Sequence, residues 1–188
     1  ENRETEGILA NRQFREGAKV LARMGLSLDT MQSFPQLREI EDFAKAVPDV
    51  TIILNHIGGL SRTGIYANKD DEVIPVWREG IAAVAACPNV VVKLGGLGMP
   101  RIGFGWHARE VPIGSEELAE IMSPWLTYCI EQFGPNRCML ESNFPPDKVS
   151  FSYNVMYNAF KILTRSYSAT ERADMLHDTA IRAYRIDV

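Results

Sequence analysis

VTIILNHIGG, residues 50–59, decides how the chain is read. Val50–Leu54 is an almost wholly apolar run of strand length, the pattern of a strand covered on both faces. Asn55 and His56 follow at once, and then Gly58-Gly59, so polar groups and a pliable backbone come directly after its carboxyl end. The arrangement recurs downstream as VVVKLGG at 90–96 and RCMLESN at 137–143. Upstream, LSLDTM at 26–31 reads as a shorter strand.

The stretches between these strands carry helical spacing. Residues 10–24 place Ala10, Phe14, Ala18, Leu21 and Ala22 on one side, and Gly25 stops the helix. Pro35 opens a second helix with Leu37, Ile40, Phe43, Ala44 and Val47 aligned. A third covers 71–86, and a fourth starts at Ser115 and runs to Phe133, where Gly134-Pro135-Asn136 ends it. Helices near 152–166 and 169–184 finish the chain, the last with a capping box from Ser168 and Glu171. Alternation of strand and helix predicts a parallel sheet with right-handed crossovers.

The loops after the second and third strands are longer than their helices require. In parallel α/β folds, ligands bind at the carboxyl ends of strands, so the expansion lies on the functional side. Gly58-Gly59 and Gly95-Gly96-Leu97-Gly98 do not match a dinucleotide-binding fingerprint that opens a helix. That favours a barrel segment over an open nucleotide-binding sheet. A whole (β/α)8 barrel takes ~250 residues, and four units make about half. The expected fold is α/β, the second, C-terminal half of a TIM barrel, as one partial domain over 1–188 without its N-terminal half. A half barrel has two open edges, which an association such as a homo-oligomer or further residues must cover.

Composition narrows the function. With 20 Lys+Arg against 24 Asp+Glu the net charge is −4, which argues against nucleic acid as a partner. No apolar run approaches the ~20 residues that span a bilayer, so no membrane role is expected. The three cysteines, Cys87, Cys129 and Cys138, show no metal or disulfide spacing, and a cytoplasmic setting is the expectation. The chain opens at Glu1 without a visible targeting segment and reads as a piece of something longer. The expected partner is a small-molecule substrate.

Candidate chemistry sits just past the strand ends. By strand alternation His56 shares a face with Ile52 and Leu54, and a His there serves as metal ligand or general acid/base, or merely bonds a loop. Glu141 and Asn143 share a face, and Asp147 follows. A carboxylate there acts as base or ligand, or stabilises a turn. Lys93, in a buried strand, calls for a carboxylate partner. The loop GFGWH, 103–107, offers Phe104 and Trp106 as apolar walls and His107 as a titratable group for substrate binding. His177 reads as packing or capping, and Trp77, Trp125, Tyr153 and Tyr157 as core.

Taken together, ILNHIGG (53–59), NVVVKLGGLGMP (89–100), GFGWH (103–107), RCMLESNFPPDK (137–148) and TAIRAYRI (179–186) resemble the second half of the amidohydrolase-2 family. This group includes pyrone-dicarboxylate lactonase and aminocarboxymuconate-semialdehyde decarboxylase. The resemblance implies strands five to eight of the barrel and a hydrolase acting on a small lactone or amide-like carbonyl. A decarboxylase and a lapsed binding protein are the alternatives on the same scaffold. It places His56 as the family's strand-six His, a metal ligand or carbonyl polariser. The family's water-activating Asp falls on Asn143, whose neutral amide cannot take a proton, so Glu141 or Asp147 is expected to substitute. The family's first-strand His-x-His pair has no counterpart. No tightly bound metal is therefore expected in this chain alone; in the full-length protein the resemblance implies either a divalent metal, zinc or manganese, held with that pair, or a metal-free mechanism with His56 as polariser.

Overall fold

The computed structural model describes residues 7–187; the outer limits of the expected domain, at Glu1 and Val188, lie outside them. Helix α1 (Arg12–Arg23) begins where the Asn11 side chain accepts from the Gln13 and Phe14 amides at 2.8 and 3.1 Å. Gly25, at φ +70°, turns the chain into β1 (Ser27–Thr30). Helix α2 (Leu37–Ala46) leads to β2 (Thr51–Leu54), which ends in the single turn α3 (His56–Gly59). Helix α4 (Asp70–Ala85) precedes β3 (Val90–Leu94), and α5 (Ser115–Phe133) precedes β4 (Cys138–Leu140). Helix α6 (Tyr153–Leu163) follows. The terminal helix is built from α7 (Ala169–Ala173), a π turn at Asp174–Asp178 and α8 (Thr179–Tyr184). Its capping box is formed, with the Ser168 amide donating to Glu171 at 2.8 Å.

The strands form one parallel sheet in the order β1-β2-β3-β4. Thr30 lies opposite Leu54, Leu54 opposite Val92, and Leu94 opposite Leu140. All four carboxyl ends therefore open on the same side. Among the described residues β1 and β4 are the sheet's edges. No described helix is long and apolar enough to cross a membrane.

Alternation along each strand divides the side chains between two faces. Ile52, Leu54, Val90, Val92, Leu94, Cys138 and Leu140 face the helices and join Leu37, Ile40, Phe43, Trp77, Ile81 and Leu126 in the main core. Each fully buried aliphatic or aromatic side chain there contributes about 1.5–3 kcal/mol. The opposite face carries Ile53, Met139 and Val91 and is met by Ala180 and Ala183 of the terminal helix. On that face Lys93 has the carboxylate its position calls for, with Nζ 2.7 Å from Asp29. Tyr184 donates to the same carboxylate at 3.0 Å.

Arg137 fixes β4 in place. Its guanidinium donates to the carbonyls of Ala85, Cys87, Val90 and Phe133, at 2.8–3.3 Å, and so caps α4 and α5 together. Two expectations are corrected. Tyr153 is half exposed rather than in the core, because it lies on the first turn of α6. His177 neither packs nor caps: it is exposed, and its Nδ1 lies 2.7 Å from Asp178.

Candidate active site

The carboxyl ends of β2, β3 and β4 bring together residues that lie far apart in the chain. His56 Nδ1 lies 2.5 Å from Glu141 Oε1, across 85 residues of sequence. Both side chains are largely but not wholly covered, at 12% and 17% exposure. With Nδ1 engaged by a carboxylate, the other ring nitrogen, Nε2, is left to face a substrate or water.

Strict alternation would carry His56 to the helix-facing side with Ile52 and Leu54. The chain departs from it because His56 and Ile57 are both left-handed, at φ +50° and +47°. Their strain is held in place. Trp77 Nε1 donates to the Ile57 carbonyl at 2.8 Å, and Ile57 is fully buried. Gly59 backs onto the Gln32 carbonyl so closely that a Cβ there would lie 2.0 Å from it. These contacts over-determine an otherwise costly turn, a condition typical of functional sites.

The glycines after β3 explain how the groups come so close. A Cβ on Gly95 would lie 2.3 Å from the Glu141 carbonyl, and one on Gly96 2.8 Å from the His56 ring. A Cβ on Gly98 would lie 2.8 Å from Asp147 and Phe151. The Gly-Gly-Leu-Gly run is thus a bed for His56, Glu141 and Asp147, and no phosphate cradle.

Asp147 is fully buried. Its Oδ2 accepts from the Gly98 amide at 3.0 Å and its Oδ1 from the Asn143 side-chain amide at 2.6 Å. Burial nonetheless pushes its carboxyl up to about 6, against the lowering effect of those donors and of His56. Asn143 itself is left-handed, at φ +50°. Ser150 completes the knot by donating to the Gly98 carbonyl at 2.5 Å. Asp147 is thus buried as the group that holds Asn143.

The expected aromatic walls are arranged differently. Phe104 stacks on Trp106 at 4.4 Å, and Trp106 meets Phe151 edge-on at 5.8 Å. Trp106 is 4% exposed, so its faces are used in packing. Phe104 also meets Trp125 and carries the Arg62 guanidinium 5.2 Å above its ring. His107 is exposed on the far part of this loop. A second aromatic cluster is built from the loop after β4 and from α6. Burial and the hydrogen bond with Tyr153 push the Tyr157 hydroxyl up to about 12, and the Glu141 charge adds to the shift. Tyr153 packs on Tyr157 and on Phe144. Their helical spacing suggested only core, so sequence reasoning missed the packing of Tyr153 on the Phe144 loop.

Parallel β/α units carry a His, carboxylates and an amide at the carboxyl ends, where a barrel places its ligands. The chain belongs to the amidohydrolase-2 family, whose amidohydrolase model matches residues 2–186. The protein y4mH of Sinorhizobium fredii, itself uncharacterized, is 36% identical over 174 residues, 93% of this chain and 52% of that one. The L-fucono-1,5-lactonase of Burkholderia multivorans is 26% identical over 174 residues, covering 92% and 56% of the two chains. An amidohydrolase crystal structure from Burkholderia multivorans superposes with a TM-score of 0.82 at 24% identity, over 96% of this chain and 60% of that one. A second crystal form, with a TM-score of 0.81, was solved with bound zinc. The chain spans about half the length of the curated relatives it matches.

A zinc site needs three protein ligands beside its open position. His56 and Glu141 are suitable donors, but no described group of three His, Cys, Asp or Glu residues is placed to hold an ion. Two donors fall one short of that set, so these residues by themselves do not fit a catalytic zinc site.

Proposed function

We propose that the full-length protein hydrolyses a small lactone at the carboxyl ends of these strands, with His56 as general base. The observation that carries this reading is the 2.5 Å contact between His56 Nδ1 and Glu141. A carboxylate on Nδ1 selects the tautomer whose Nε2 is an acceptor and stabilises the imidazolium formed later. This is an arrangement for moving a proton. The family's lactonases, L-fucono-1,5-lactonase among them, support the substrate class.

In this mechanism Nε2 takes a proton from water as its oxygen bonds to the lactone carbonyl carbon. The carbonyl π electrons move to oxygen, giving a tetrahedral oxyanion. Asn143 directs its remaining amide hydrogen toward developing negative charge, and Asp147 fixes its orientation. Collapse re-forms the carbonyl and breaks the ring C–O bond, and the alkoxide leaves with the proton from His56. The product is a hydroxy acid. Glu141 holds the ring throughout.

A panel of five- and six-membered sugar lactones, followed by acid release, tests this with the full-length protein. His56→Ala should lower kcat by roughly 10²–10⁴-fold, the usual worth of a positioned acid–base group. Undiminished hydrolysis in that variant, or carbon dioxide release without lactone opening, would remove the reading.

A further inference from the structure

Few buried polar side-chain atoms lack a partner, and most of them gather at one end of the molecule. Among the described residues they are Gln32 Oε1, Asn55 Oδ1, Arg101 Nε and Nη2, and Arg172 Nε. Gln32, Asn55 and Arg101 all belong to loops that follow strands, on the side where His56 and Glu141 meet. Buried polar groups are nearly always satisfied, so a concentration of orphans marks a place where a partner is to be supplied.

Arg101 is the strongest of these. It lies in the turn Pro100–Ile102, three residues beyond Gly98. Its main chain is anchored: the carbonyl accepts from the Arg62 amide at 3.1 Å, Thr63 Oγ1 at 3.2 Å and Ser61 Oγ at 3.3 Å. Those donors follow the His56 turn, so the loops after β2 and β3 are tied together at Arg101. Ile102 beside it is fully buried. The guanidinium is therefore presented by a fixed backbone.

Of the other partly buried arginines, Arg172 also has an unpartnered Nε but lies in α7, far along the chain from the strand-end loops, whereas three others find acceptors. Arg62 is paired with Asp70 and Arg15 with Asp42, while Arg137 caps two helices. Arg101 has two buried nitrogens and no such acceptor among the described residues. Burial lowers its proton affinity, and no carboxylate among the described residues raises it. Arg101 as a whole is partly buried, and leaving two of its nitrogens covered without an acceptor is costly; a planar fork of donors is matched by a carboxylate or a phosphate.

We propose that Arg101 is a substrate anchor that binds an oxyanion, carboxylate or phosphate, carried on atoms other than the reacting carbonyl. The substrates are then lactones bearing a negative charge. The proposal rests on the hydrolase reading for its link to turnover, although the binding itself does not require turnover.

Calorimetric titration of the full-length protein with malonate, with inorganic phosphate and with neutral dimethyl malonate tests the anchor. One or both anions should bind and the diester should not; the one that binds more tightly identifies the oxyanion. Arg101→Met should weaken that binding at least about tenfold, the worth of a charged hydrogen bond. Arg101→Lys, which keeps the charge and loses the fork, should weaken it several-fold and serves if the Met variant does not fold. Equal affinity in the parent and either folded variant would overturn the proposal. So would no anion binding at all, as when a carboxylate of the rest of the protein already occupies the guanidinium. His56→Ala should leave anion binding intact. Arg101-dependent binding without hydrolysis of any lactone would keep the anchor and remove the hydrolase reading.

Discussion

The Asn143 side chain donates to Asp147 with 2.6 Å between Nδ2 and Oδ1, so a buried carboxylate four residues downstream orients the amide at the end of β4. The same carboxylate accepts from the Gly98 amide, which links β4 to the loop after β3. Asp147→Ala would leave both donors without an acceptor in a buried setting. The expected cost is about 1–3 kcal/mol of stability. Lactone hydrolysis should fall more in kcat than through KM, since a positioning group acts on the transition state. Chemical denaturation with steady-state kinetics checks both; a variant of parental stability would show that the hydrogen bonds contribute little.

Gly96 and Gly17 should respond to alanine in opposite directions. At Gly96 the backbone is left-handed, at φ +74°, and the added methyl would lie 2.8 Å from the His56 ring. Gly96→Ala is expected to displace His56, costing about 1–3 kcal/mol in stability and at least tenfold in turnover. Gly17 lies within α1 with nothing within 4 Å of a Cβ. Gly17→Ala should stabilise by about 0.5–1 kcal/mol and leave turnover unchanged. Equal denaturation midpoints for the two variants would contradict the packing described for the glycine bed.

Arg137 should separate stability from chemistry. Its guanidinium serves carbonyls of Ala85, Cys87, Val90 and Phe133 and contacts none of the site residues. Arg137→Met keeps the stem and leaves these carbonyls short of donors. A loss of about 2–4 kcal/mol is expected from several such bonds, with kcat per folded molecule unchanged. Thermal unfolding and active-site-normalised kinetics decide it.

Element order was readable because each strand is a short apolar run between amphipathic helices, and neither pattern depends on distant residues. VTIIL, VVVKL and RCMLES thus stand out before any pairing is known. The candidate site was readable only in part. His56 and Glu141 could be marked by their place after strands, but their contact depends on left-handed His56 and on Gly95 and Gly96 closing the gap. Strand alternation carries no information about a residue at φ +50°. Asp147 was legible as a carboxylate and not as a buried one, since its burial comes from Gly98, Ser150 and Phe151 beneath it. Trp106 was read as a wall because its packing partners Phe104 and Phe151 are 47 residues apart from each other in the chain. Arg101 carried no signal at all, because an orphaned guanidinium is visible only once its surroundings are known.

The raised carboxyl of Asp147 gives a pH dependence whose sign can be worked out. In the folded protein it titrates at about 6, pushed up by burial, whereas an unfolded Asp titrates at about 3.9. Between these values the folded state holds the proton more often than the unfolded state. Folding stability from this group is therefore complete below about pH 4 and is lost as pH rises to about 6. Surface pairs act in the opposite sense: Arg62 holds Asp70 low, and Lys45 with Arg38 holds Glu41 low, so their contribution is lost on acidification. A raw stability curve would mix the two effects. The difference between the parent and Asp147→Asn cancels the surface pairs, which both proteins share. That difference should move against the parent as pH rises from about 4 to about 6, then level off. Urea denaturation of both proteins at half-unit pH intervals measures it, and a flat difference would show that Asp147 is not desolvated.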